Sequence, residues 1–239
     1  MTADPSTRMG LLRRTPRLVD EVADRLRESI VDGTFPAGTP LPQVAMAAQL
    51  GVSRTPLREA LRVLDSEGLV RSSDNRTVEV VEIGPDDLRE MYELREVIDG
   101  LAARLAARKG LSAQDEQRAR HLLDEMAGSS DPYDPVRRNR AHAEFHELFA
   151  LASGNAKVQS FASLIRTSSA MLYLPLVRDI AAKNLAAANP DKTYKKFLDD
   201  AQAQHRDILE AVVERKPAAA EDEARRHIQR TLRFTHYFG

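Results

Sequence analysis

Apolar residues recur at steps of four from Leu18 through Val22 and Leu26 to Ile30. That spacing puts them on one helix face and predicts a helix over Leu18–Val31, stopped by Asp32-Gly33. Residues 34–42 are rich in proline and glycine and read as a fixed turn without helix. A short helix is expected over Val44–Leu50, closed by Gly51 at a C-cap position. Ser53 or Thr55 can cap the next helix, and Pro56 falls in its first turn, where no backbone donor is lost. That helix runs to about Glu67 and ends at Gly68. Leu69–Arg71 and Thr77–Ile83 alternate apolar and polar positions around the turn Ser73-Asp74-Asn75-Arg76, which predicts a β-hairpin.

From Gly84-Pro85 onward the pattern is helical: 85–109, 112–127, 135–153, 156–174, about 176–188, 191–215 and 217–236. The breaks are Gly110, the Gly128–Pro135 loop, Gly154-Asn155, Pro175, Pro190 and Pro217. The expected organisation is therefore a loose arm at 1–15, a domain of helices and a hairpin at 16–83, and an all-helical domain at 84–239.

Composition narrows the class. The 239 residues are 42% hydrophobic and 30% charged, enough apolar matter for a core. No cysteine is present, which excludes disulfides and thiolate metal sites and suits a reducing compartment. The N-terminal residues lack a signal-peptide apolar core, and no apolar run reaches the ~18 residues that span a bilayer. A cytoplasmic protein with no membrane partner is expected. With 35 basic against 36 acidic side chains, any nucleic-acid binding must come from a local patch.

Such a patch exists on the third helix. At 100° per residue, Arg54, Arg58 and Arg62 fall at about 0°, 40° and 80°, while Leu57, Ala60, Leu61 and Leu64 fall between about 240° and 340°. One face is leucine and the other arginine. A planar guanidinium fork suits phosphates and the guanine edge. A solvated charged face, with Glu59 pairing nearby, would read the same in isolation. The ordered set of helix, helix, glycine turn, arginine helix and hairpin instead matches a helix-turn-helix with its recognition helix second.

The runs Gly33-Thr-Phe-Pro-Ala-Gly-Thr-Pro-Leu41, Leu50-Gly-Val-Ser-Arg-Thr-Pro-Leu-Arg-Glu-Ala-Leu61 and Glu67-Gly-Leu-Val70 resemble the winged helix-turn-helix of GntR-family bacterial transcription regulators. The resemblance implies that Arg54 and Arg58 contact operator DNA, that Ser53 and Thr55 touch phosphates or bases, and that a wing tipped by Asn75 and Arg76 enters the minor groove. Gln43 and Thr77 stand where the family usually has glutamate and glycine.

Histidines supply the second constellation. His142 and His146 are four apart and stack on one helix face, and His205 and His227 sit beside apolar residues on two later helices. Four imidazoles from three helices can surround one metal in a bundle core, or can each serve as hydrogen-bonded structural groups. Residues 85–236 resemble the FCD domain of the FadR subfamily through Tyr92–Ile98, Glu144–Leu148 with Ser153-Gly-Asn155, His205–Ala211 and Ala224–His227. That resemblance implies a divalent metal on His146, His205 and His227, with His142 where the family has a carboxylate. The neutral replacement favours Zn²⁺ or Ni²⁺ over harder ions. It further implies a homodimer on an inverted repeat and a small organic-acid effector, for which Arg95 matches a pocket position. Arg166 is a second candidate, because it interrupts an apolar and hydroxyl-bearing stretch.

The expected fold is mainly α: an N-terminal winged helix-turn-helix and a C-terminal FCD-like bundle. The expected function is an effector-controlled transcription regulator, acting as a repressor. Two other readings compete. The helical domain could only dimerise and bind no metal. A metal-dependent hydrolase would need a general base, but no HExxH pattern, serine elbow, P-loop or dinucleotide fingerprint occurs.

Overall fold

The computed structural model describes residues 16–66, 68–72, 77–82, 85–129, 132, 134–171, 182, 183, 185, 187 and 194–235. The chain opens with α1 (Pro16–Val31), α2 (Gln43–Leu50) and α3 (Arg54–Ser66), followed by β1 (Val70–Ser72) and β2 (Val78–Val80). α1 buries Val22, Leu26 and Ile30 of its four-step stripe, together with Ala23, whereas Leu18, the expected first member, is exposed. α3 turns Leu57, Ala60, Leu61 and Leu64 inward against it. Each valine, leucine or isoleucine so removed from water contributes about 1.5–3 kcal/mol. Gly51 closes α2 at a φ of 65°, the left-handed conformation a C-cap glycine supplies without steric cost.

β1 and β2 pair antiparallel in the register Val70↔Val80, Arg71↔Glu79 and Ser72↔Val78. The proline-rich stretch expected as turn alone does more. Gly38 N donates to Val80 O at 3.0 Å, Val80 N to Thr39 O at 3.0 Å and Leu41 N to Val78 O at 2.7 Å, with a bridge between Pro40 and Glu79. Prolines fit here because an edge position needs no second row of donors. The hairpin is thereby fastened to the entry of α2. The turn at 73–76 lies outside the described residues.

The helical part comprises α4 (Pro85–Lys109), α5 (Ala113–Gly128), α6 (Pro135–Ala152), α7 (Ala156–Gln159), α8 (Ala162–Met171), α9 (Tyr194–Val213) and α10 (Pro217–Thr235). Caps explain the starts: the Ser112 side chain accepts from Asp115 N at 3.0 Å, Asp134 from Arg137 N at 3.0 Å, and Asn155 from Lys157 N at 2.9 Å. α4 presents Ala102, Ala103, Ala106 and Ala107 as a buried small-residue stripe, and α10 packs along it. At Gly100 the approach is tightest: a Cβ there would meet Arg225 Cγ at 2.5 Å.

One expected helix, 156–174, is broken. α7 ends at Gln159 and α8 begins at Ala162. The Ser160 hydroxyl donates to the Lys157 carbonyl at 2.7 Å, and Phe161 N bonds Val158 O in a tighter i→i+3 turn. Both compete with the α-helical ladder, and the jog lets Val158, Ala162 and Ile165 all reach the core. The expected helix at 176–188 falls largely outside the described residues; 182, 183, 185 and 187 are helical.

Candidate functional site

Two sites emerge, one in each part of the chain. On α3, Arg54, Arg58 and Arg62 are all exposed. Arg62 pairs with Glu59 at 2.6 Å, whereas Arg54 and Arg58 have no carboxylate partner among the described residues. The three line a groove with Pro42, Val44, Ser72 and Thr77, between the arginine helix, the start of α2 and the hairpin. Ser53 and Thr55 are exposed at the head of α3. Asn75 and Arg76 lie outside the described residues. Cationic groups free to leave water for a phosphate or a base edge, beside a concave wall, can hold a duplex.

The second site is interior. α6 carries His142 and His146, α9 carries His205 and α10 carries His227, all buried. One ring nitrogen from each lies within 4.8 Å of those from the others. His146 Nε2 and His205 Nε2 stand 3.3 Å apart. The His205 and His227 ring centroids are separated by 4.3 Å.

Outer partners decide which nitrogen faces inward. His146 Nδ1 lies 3.1 Å from Asp99 Oδ2 on α4, and His227 Nδ1 lies 3.1 Å from Gln204 Oε1 on α9. Each oxygen can accept the Nδ1 proton, which leaves the Nε2 lone pair for a ligand. Asp99 is itself held by Arg95 Nη2 at 2.6 Å. Arg95 is fully buried, lies over the Tyr92 ring at 5.3 Å, and its Nε and Nη1 find no hydrogen-bond partner among the described residues.

The electrostatics keep the imidazoles neutral. Burial pushes His142, His205 and His227 well below the usual imidazole range, with neighbouring histidines adding to the effect. Burial also lowers His146, although its hydrogen bond to Asp99 opposes this. Burial alone would raise the Asp99 carboxyl; Arg95 and the His146 hydrogen bond outweigh it and hold the group ionised. Arg138, one turn before His142, is buried and donates to the Met126 and Leu198 carbonyls. Its charge also disfavours protonation of His142 and His205.

Neutral, converging, buried imidazoles with a carboxylate behind one of them form a donor set that fits a borderline divalent metal. His205 Nδ1 is buried with no hydrogen-bond partner among the described residues. Arg166 is not brought there. Its half-buried guanidinium pairs with Glu147 at 3.4 Å and approaches Asp24 of α1 at 3.9 Å. Glu144, flanking His146 on the other side, pairs with Arg118. Both glutamates next to His146 in the chain are thus held by arginines.

Sequence reasoning did not single out Asp99, Gln204 or Arg138. The available clue for Asp99 was its place one helical turn after Arg95; Gln204, adjacent to His205, carried none.

Residues 18–80 match the family described as bacterial regulatory proteins, gntR family, and residues 90–230 match the FCD domain. A Paenarthrobacter nicotinovorans protein named "Probable D-xylose utilization operon transcriptional repressor" is 30% identical over 93% of this chain and 90% of its own. The Escherichia coli (strain K12) "Glc operon transcriptional activator" is 27% identical over 92% and 89%. In fold, E. coli McbR/YncC superposes with a TM-score of 0.69 at 19% identity, covering 92% of this chain and 97% of that one. Among the described residues no helix is long and apolar enough to cross a membrane. The winged helix-turn-helix, the all-helical domain and these matches lead to one conclusion: the chain belongs to the gntR family of bacterial regulatory proteins, with an FCD domain, and is a DNA-binding transcription regulator rather than an enzyme.

Proposed function

We propose that this regulator is a cytoplasmic repressor whose grip on its operator is set by a small organic acid bound beside a metal ion. Arg54 and Arg58 read base edges in the major groove, Ser53 and Thr55 engage the backbone, and Asn75 and Arg76 contribute from the hairpin turn. A homodimer engages an inverted repeat, since one recognition helix reads one half-site. Of the two named relatives, the repressor is the more similar, at 30% against 27% identity for the activator, and this favours repression.

The observation that carries the proposal is the cluster of four buried, neutral imidazoles beside Arg95. His146, His205 and His227 would hold the ion, with His142 as the fourth donor, and an all-nitrogen set favours Zn²⁺ or Ni²⁺. When bound, such an ion supplies a Lewis-acidic centre for a carboxylate oxygen. Arg95 supplies a second positive group: its pair with Asp99 engages Nη2, and Nε and Nη1 remain to donate. Burial excludes water and strengthens both attractions.

The experiment is elemental analysis of untagged protein by mass spectrometry, followed by operator titration with a panel of carboxylic acids. About one equivalent of zinc or nickel per chain, with release by one acid, is the expected result. No metal even after incubation with Zn²⁺, and no response to any acid, would leave the helical domain as a dimerisation module alone.

A further inference from the structure

Met171, in α8, belongs by sequence to the helical domain and by packing to the other. It is 2% exposed and sits in the hydrophobic cluster of the DNA-binding domain, with Val22, Leu26, Leu57 and Leu64. Its Cε lies 3.9 Å from where a Cβ on Gly68 would stand. Gly68, at a φ of +73°, is the turn that follows the arginine helix. Met91 of α4 packs against the same cluster from the side.

α8 is tied to its surroundings at three further points. Tyr92 Oη donates to the Ser168 carbonyl at 3.4 Å, Arg166 approaches Asp24 of α1 at 3.9 Å, and Ile165 is fully buried in the core of the helical domain. Interfaces between domains of one chain are small and polar by default and permit relative motion. Here an apolar side chain of one domain completes the core of the other, which converts a loose hinge into a seat. A methionine suits the task, since its unbranched thioether fills an irregular gap without the shape demands of a branched residue.

We propose that Met171 is a positioning residue for operator recognition. It fixes the angle at which the helical domain carries α3, and with it the distance between the two arginine helices of a dimer. The inference rests on the homodimer proposed above. Removing the thioether unseats the DNA-binding domain without touching Arg54 or Arg58, so each half-site is read as before while the preferred separation is lost.

The test compares wild type, Met171→Ala and Met171→Leu on duplexes selected by the wild-type protein from a randomised pool. The half-sites are then moved apart or together one base pair at a time, and a duplex with one half-site serves as reference. Wild type and Met171→Leu should favour one separation by about tenfold or more, since misplaced half-sites forfeit simultaneous engagement. Met171→Ala should bind all separations within about threefold of one another, with single half-site affinity unchanged within about twofold. Retention of the wild-type preference by Met171→Ala overturns the inference, as does equal weakening on every duplex including the single half-site. Absence of any preference in wild type itself sinks the dimer reading and the inference with it. Should Met171→Ala fail to fold, Met171→Val is subjected to the same comparison and the same criteria.

Discussion

Asp99 Oδ2 meets His146 Nδ1 across the α4–α6 interface at 3.1 Å while the same oxygen takes Arg95 Nη2 at 2.6 Å. One carboxylate thus orients a candidate ligand and neutralises a buried cation. Asp99→Asn should reduce zinc affinity by about 10- to 100-fold, the usual cost of losing an outer-shell partner of a ligating histidine. Asp99→Ala should also destabilise the fold by about 3–5 kcal/mol, because Arg95 is left charged and buried. Isothermal titration with Zn²⁺ and chemical unfolding check the two effects; unaltered metal affinity in both variants removes Asp99 from the site.

His205→Ala and His227→Ala should each abolish metal retention. They should also lower the melting temperature of metal-loaded protein towards that of the chelated wild type, since a bound ion stabilises the native state by mass action. Metal content and thermal unfolding measured together decide it. Identical values in wild type and both variants would make the histidines structural.

Metal-free protein should lose stability as the solution is acidified. The folded state holds His142, His205 and His227 well below their usual range, so below the unfolded value of 6.5 the unfolded chain takes up protons that the folded chain refuses. Stability is complete above that value and falls beneath it, by up to about 1.4 kcal/mol per pH unit for each histidine. Urea midpoints from pH 8 to pH 5 give the slope; a flat profile contradicts the burial argument.

At the DNA surface, Arg54→Ala and Arg58→Ala should each weaken operator binding by about 1–3 kcal/mol if each makes a bidentate contact. Arg62→Ala should cost less, because Glu59 already engages that guanidinium at 2.6 Å. Fluorescence anisotropy at matched salt ranks the three, and an Arg54 variant binding as tightly as wild type removes that residue from the readout.

Helix faces were the legible part of this chain. The leucine face of α3 and the four-step stripe of α1 follow from periodicity, because one buried face per helix leaves its mark on the local pattern. The break at Ser160 was invisible, since serine and phenylalanine carry no stop signal and the jog is imposed by what Val158 and Ile165 must pack against. The pairing of Gly38–Leu41 with β2 was hidden for a similar reason: its prolines advertise a turn, and only the neighbouring strand reveals an edge. In the interior, residue type pointed to the histidines, whereas Asp99 and Gln204 are partners chosen by helix packing. Arg166 shows the converse. Its place in a hydroxyl-rich stretch suggests a pocket, yet its helix turns the half-buried guanidinium towards Glu147 and Asp24.

The imidazoles of the cluster come from three helices, with 59 positions of chain between His146 and His205. An ion seated among them would staple α6, α9 and α10 together as a disulfide would, in a chain that has no cysteine to make one. Such a staple opens with chelation or acid and closes again without a redox partner. The rigidity of the domain would then be set by the metal supply around it, and would change within the lifetime of a single molecule.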